Sequence, residues 1–183
     1  EFMVGADLKL IAALKSAEEI MPLALRQHRI LRKMETCGKP VVAAINGIAL
    51  GGGYEICLAC HNRIVVNDSD IQIGLPEVLL GLLPGGGGTQ RLPRMIGIQE
   101  SLSLLLEGKK LRPEQALKAG MVNALLDTQQ ELIPAAKEWI KKVGRSVQPW
   151  DEKGFKIPGG GVQHPESVMV LSAASGLIVK KTY

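Results

Sequence analysis

Lys39-Pro40-Val41-Val42-Ala43-Ala44-Ile45-Asn46-Gly47-Ile48-Ala49-Leu50-Gly51-Gly52-Gly53-Tyr54-Glu55 is the stretch that decides the fold. Its first part is a strand-like apolar run, and a helical apolar pattern follows from Tyr54 to Cys60. A helix that begins near Gly53 leaves its first backbone N–H groups unpaired and aimed at whatever sits above them. Gly51 and Gly52 carry no side chain, so a ligand oxygen can approach those donors closely. Such donors stabilise an oxyanion. Glycines also serve tight turns, and for the trio taken alone that plainer use is the stronger expectation.

Two acids flank this picture. Glu55 falls in the first turn of the expected helix, and Glu77, in Gly74-Leu75-Pro76-Glu77, lies 22 residues further on. Between them run two short strands, 63–66 and 71–74, joined by the turn residues Asn67-Asp68-Ser69-Asp70, an excursion able to return Glu77 to the same pocket. Its neighbours Leu75, Pro76, Val78, Leu79 and Leu80 are apolar. Burial of that kind raises a carboxyl pKa towards the working range of a general acid or base. Either acid taken alone reads more readily as a solvated surface carboxylate.

Pro84-Gly85-Gly86-Gly87-Gly88-Thr89-Gln90-Arg91 has neither the Gly-Lys-Ser/Thr ending nor the dinucleotide spacing, which argues against a phosphate cradle. Thr89 as a helix cap behind a flexible wall is the plainer expectation. In Gly5-Ala6-Asp7, Asp7 is expected to cap the following helix, and the Ala6 N–H offers a second oxyanion donor. A Gly-x-Ser-x-Gly elbow is absent, which disfavours a serine hydrolase.

Outward from these motifs, strands alternate with helices, the mark of an α/β architecture. Ile20, Leu23, Gln27, Ile30, Leu31 and Met34 recur at helical spacing up to Gly38. Further helices are expected over 89–96, 99–107, 113–119 and 130–143, with a short strand over 121–124. From Gly144 the character shifts to Pro149, Pro158, Gly159-Gly160-Gly161 and Pro165, followed by an apolar helix over 166–181.

The 183 residues suffice for one domain with a buried core. Hydrophobic content is 46% with only 3% aromatic, so that core is aliphatic. No apolar run is long enough to span a bilayer and no secretory signal is visible, which points to a cytoplasmic protein. A net charge of +4 with few aromatics and no nucleic-acid motif reads Arg26, Arg29, Arg32, Lys33 and Lys137, Lys141, Lys142, Arg145 as solvated helix faces. Cys57-Leu58-Ala59-Cys60 lies inside a helical pattern, so its thiols read as half-buried, with neither redox nor metal chemistry. His28, His61 and His164 are scattered and read as surface or packing residues.

Taken together, Gly5-Ala6-Asp7-Leu8-Lys9, the stretch from Lys39 through Glu55, Gly74-Leu75-Pro76-Glu77, and Gly81-Leu82-Leu83-Pro84 through Leu92 resemble the enoyl-CoA hydratase/isomerase (crotonase) family. The match extends to about Val143. It is most similar to the hydratase part of multifunctional fatty-acid oxidation proteins, in which a 3-hydroxyacyl-CoA dehydrogenase module follows. The resemblance implies a crotonase-like (ClpP/crotonase) α/β fold of stacked ββα units over 1–144. Residues 145–183 are then a linker and helix leading towards a downstream module.

The same resemblance implies roles. The N–H groups of Ala6 and Gly52 would hold the thioester oxygen as an enolate forms. Glu55 and Glu77 would flank a water that adds to Cβ of a trans-2-enoyl-CoA, with Glu77 exchanging the proton at Cα. Gly5, Asp7, Leu50, Gly51, Gly53, Pro76, Leu79, Pro84 and Gly85 would line the substrate. Coenzyme A is part of the substrate, and no cofactor or metal is implied. Family isomerases commonly depend on the acid at the Glu77 position alone, so two acids favour hydration; Δ3-Δ2-enoyl-CoA isomerisation and a catalytically silent truncated fragment are the alternatives. Members carry a segment before Gly-Ala-Asp, whereas this chain opens at Glu1-Phe2, so an N-terminally shortened fold is expected. A homo-oligomer (trimer or hexamer) or a larger multifunctional chain, with no nucleic acid and no membrane span, completes the expectation.

Overall fold

Met3–Val4 forms β1, and Asp7 then caps the short helix α1 (Leu8–Ala13). The computed structural model describes residues 2–5, 7–144 and 146–182, with side chains as far as residue 174. The helical spacing after Ser16 becomes α2 (Ala17–Thr36), and the decisive stretch becomes β2 (Val42–Ile45), β3 (Ala49–Leu50) and α3 (Gly52–Ala59). Next come β4 (Asn62–Val66), β5 (Ile73–Gly74) and a 3-10 turn over Pro76–Leu80. Helices α4 (Gly88–Ile96) and α5 (Ile98–Glu107) lead to β6 (Lys110–Leu111), α6 (Pro113–Lys118), β7 (Ala124–Leu126) and α7 (Gln129–Val143). A second 3-10 turn at Pro149–Asp151 and α8 (Pro165–Thr182) follow.

Successive strands go to different sheets. One sheet has the order β1-β3-β5-β6 and the other β2-β4-β7. All pairings are parallel except β5 with β6. Two strands and a helix therefore make one turn of a coil: β2, β3 and α3 are followed by β4 and β5 stacked beside them. This layering positions the site, because β3 ends at Gly51 and β5 ends at Gly74, and the Gly51 N–H donates to the Gly74 carbonyl at 2.9 Å. Glu55 and Glu77 thus leave neighbouring strands at the same end of one sheet.

The core is aliphatic, built on Ile45, Leu58, Val65, Ile73, Leu75 and Leu92 around Tyr54. The buried Tyr54 hydroxyl donates to the Met121 carbonyl at 2.9 Å, the partner a buried phenol requires. Cys57 and Cys60 are more deeply buried than expected, and burial pushes both thiols up, Cys60 to about 11. Both are kept as thiols.

Several local expectations shift. Helix α4 starts one residue early and its cap is Gly87, at φ +101°, with Thr89 inside the first turn. A threonine does not adopt that left-handed backbone, whereas glycine does. The strand expected over 121–124 lies at Ala124–Leu126, because Met121 and Val122 are spent in the core. Beyond residue 144, Gln148 is buried and donates to the Ala59 carbonyl at 3.0 Å, while Asp151 pairs with Arg32. Among the described residues no helix is long and apolar enough to cross a membrane.

Candidate active site

Helix α3 is pressed onto β1, since any side chain at Gly53 would run into the Met3 carbonyl. That contact fixes the first turn, in which the N–H of Gly52 has no acceptor within the helix. Glu55 follows, its own N–H donating to the Gly51 carbonyl at 2.9 Å. Only 2% of Glu55 is exposed. Its Oε2 accepts from the Gly86 N–H at 2.8 Å and its Oε1 from the Gly88 N–H at 2.7 Å. The glycine run is no flexible wall: it cradles a carboxylate of the protein itself. A Cβ on Gly86 would lie 2.6 Å from Glu55 Oε2, and one on Gly88 would lie 2.7 Å from Leu75 Cδ1. Only glycines let that backbone approach so closely.

Glu77 sits in the 3-10 turn after β5 and is held otherwise. A Cβ on Gly51 would lie 3.0 Å from Glu77 Oε1 and 3.4 Å from Gly5 Cα, so these three residues converge. Glu77 Oε2 is buried and has no hydrogen-bond partner among the described residues. Burial pushes this carboxyl up to about 7, against backbone hydrogen bonding at Glu77, and the charge of Glu55 adds to the rise. Such a group carries a proton part of the time near neutrality, as an acid-base catalyst needs.

The other anticipated residues divide. Gly51, at φ +57°, turns the chain from β3 into α3, and Leu50 is buried just before it. Pro84 is buried behind the glycine run, while Gly85 is exposed. Pro76 opens the 3-10 turn, where Leu79 is exposed to solvent with Leu80, Leu82 and Leu83. Asp7 is exposed and acts as the cap of α1, Oδ1 accepting from Lys9 and Leu10. Ala6, expected as the second oxyanion donor, lies outside the described residues.

Residues 1–149 of the chain match a family model described as enoyl-CoA hydratase/isomerase. The chain belongs to the enoyl-CoA hydratase/isomerase family. Its relatives include fatty acid oxidation complex subunit alpha of Shewanella frigidimarina, 48% identical over 79% of this chain and 21% of the relative. The subunit of Shewanella baltica strain OS185 is 47% identical over 80% of this chain and 22% of its own length. The chain thus spans about a fifth of the curated relatives it matches. A solved enoyl-CoA hydratase of Bacillus anthracis superposes with a TM-score of 0.69 at 37% identity, covering 77% of this chain and 53% of that one. The crotonase fold is shared.

Reading the sequence missed the residues behind the cradle. Arg91, inside the quoted glycine motif, forms a buried ion pair with Glu35 of α2. His28, read as a surface or packing residue, is exposed and also bonds the Gly85 carbonyl through Nε2 at 2.6 Å. Gln27, Leu31 and Glu35 share one face of α2 at four-residue spacing, a signal for what that face grips.

Proposed function

We propose that this chain hydrates trans-2-enoyl-CoA thioesters within fatty-acid oxidation. The observation that carries the reading is the unequal holding of two neighbouring acids. Glu55 is fixed by two backbone donors, and Glu77 keeps a buried oxygen without a partner and a pKa raised to about 7. Each Glu55 oxygen retains a further lone pair with which to accept from a water. That water's oxygen bonds to Cβ, the electron pair of the Cα=Cβ bond moves into an enolate, and Glu77 delivers a proton to Cα. The proton released by the water goes to Glu55, and solvent exchange between the acids restores the start. The enolate oxygen is met by the Gly52 N–H, with Ala6 as the second donor, an arrangement whose donors act where charge develops.

Coenzyme A enters as part of the substrate and no separate cofactor is used. The acyl-CoA partner, assembly as a trimer or hexamer or as part of a larger multifunctional chain, and a cytoplasmic place belong to the same reading. So do the substrate-lining roles of Gly5, Asp7, Leu50, Gly51, Gly53, Pro76, Leu79, Pro84 and Gly85, and a first unit over 1–144 with a linker and helix over 145–183.

The test is loss of the enoyl absorbance of crotonyl-CoA. Glu77→Gln should lower kcat by about 10²–10⁴, the usual worth of a positioned acid-base group, while the fold is kept. Turnover retained in that folded variant overturns the assignment. Double-bond isomerisation is the second reading, favoured by the raised pKa of Glu77 alone. Under it Glu55→Gln removes hydration and leaves isomerisation intact.

A further inference from the structure

Three consecutive peptide units of the glycine run are each gripped. In the unit joining Gly85 to Gly86, the carbonyl is bonded by His28 Nε2 at 2.6 Å and the N–H donates to Glu55 Oε2. In the unit joining Gly87 to Gly88, the carbonyl accepts from the N–H groups of Gln90 and Arg91, and the N–H donates to Glu55 Oε1. The middle unit, Gly86 to Gly87, has its carbonyl held by the side chain of Arg91, Nη1 donating at 2.9 Å.

Two further N–H groups of the Arg91 guanidinium are spent on Glu35, with Nε at 2.6 Å from Oε1 and Nη2 at 3.1 Å from Oε2. Arg91 is 8% exposed and Glu35 3%. Burying such a pair costs desolvation that its attraction barely repays, so stability alone is a weak reason for it. Its geometry is specific: a planar fork locked on a carboxylate has the directions of its other N–H groups fixed, and one on Nη1 is aimed at the Gly86 carbonyl. Arg32 adds a 3.2 Å bond to Glu35 Oε2 and is itself paired with Asp151, which ties the fork to the rim of the molecule.

We propose that Arg91, clamped by Glu35, is a positioning residue for Glu55, holding the middle peptide so that the N–H groups on either side converge on one carboxylate. The proposal rests on the hydratase reading for its catalytic meaning, though not for its geometry. Without the fork, the Gly86–Gly87 peptide is free to rotate, and both donors to Glu55 move with it. Most of the residues assigned to line the substrate lie outside the middle peptide, so affinity changes less than turnover.

The experiment uses the 183-residue chain, crotonyl-CoA and backbone amide exchange. Arg91→Gln should lower kcat about 10–100-fold, the scale of an ångström-sized misplacement, with KM within about threefold. In a Glu55→Gln background the same substitution should change kcat by less than about threefold, because its route of action is already gone. An equal loss in both backgrounds, or wild-type kcat in a folded variant, overturns the proposal. Should Arg91→Gln fail to fold, Glu35→Gln carries the test, since it keeps the shape and weakens the clamp; the same dependence on Glu55 is expected. Amide exchange at Gly86 and Gly88 should quicken in either variant, and unchanged exchange overturns the clamp. A wild-type chain inert towards crotonyl-CoA sinks the hydratase reading instead, and the exchange data still decide whether Arg91 holds the run.

Discussion

The region around Glu55 and the region around Glu77 use the same side chain in opposite settings. Glu55 is enclosed: α2, α3 and the start of α4 meet there, and its two oxygens are met by main-chain donors supplied by glycines. Glu77 stands on a single 3-10 turn whose Leu79 and Leu80, with Leu82 and Leu83 just after it, face solvent, with one oxygen against Gly51 and the other without a partner among the described residues. Enclosure without a hydrogen-bond partner disfavours the charged form, and it is Glu77 whose carboxyl is pushed up.

The comparison breaks most sharply if the cradle is filled. Gly86→Ala places a Cβ 2.6 Å from Glu55 Oε2 and 2.7 Å from Gln27 Nε2, so the Glu55 carboxylate must move. Glu77 is untouched by that change. Turnover of crotonyl-CoA should fall by about 10²-fold or more, in line with misplacement of a catalytic group. A Gly86→Ala enzyme with wild-type kcat would show that the enclosure of Glu55 has no bearing on the chemistry.

A smaller effect separates the two acids by pH. Burial lifts the Glu77 carboxyl from the ordinary 4.5 to about 7, so the folded chain holds a proton that the unfolded chain has released. Between those values the folded state binds more protons, and stability falls as pH rises. Glu77→Gln lacks this titration. Its melting temperature relative to wild type should therefore be more favourable near pH 8 than near pH 5, a difference readable by calorimetry. Partial exposure of the side chain weakens the slope through solvent screening. A difference that does not change with pH would contradict the unpaired, desolvated state of Glu77.

How much of this stood in the sequence differs between the regions. The run Val42–Ile45, the glycine trio and Glu55 were legible because apolar runs and glycines punctuate the chain strongly. Strands β3, β5 and β6 are two residues each, too short to leave a period, so the pairing that brings Glu77 beside Gly51 was an assumption until β3 and β5 were seen adjacent. The glycines of 85–88 were recognised but not their use, since nothing local says that a backbone N–H will meet a side chain 33 residues earlier. Glu35 looked like any helix acid: its partner, Arg91, is 56 residues away. Short-range pattern reveals elements, whereas buried polar networks are long-range.

The smallest effect tests the open side of the comparison. Leu83 is 76% exposed, directly before the glycine run, and already lies in water within this chain. Removing its side chain therefore returns almost no apolar area to solvent, and the transfer free energy that normally penalises such a change is already lost. Leu83→Ser should shift unfolding by no more than about 0.5 kcal/mol, the usual range for surface positions, measured as the urea midpoint at constant slope. Leu75, eight residues earlier and buried against Gly88, has no such freedom. A large loss at Leu83 would mean that the turn bearing Glu77 is covered in solution, and that its surroundings are as closed as those of Glu55.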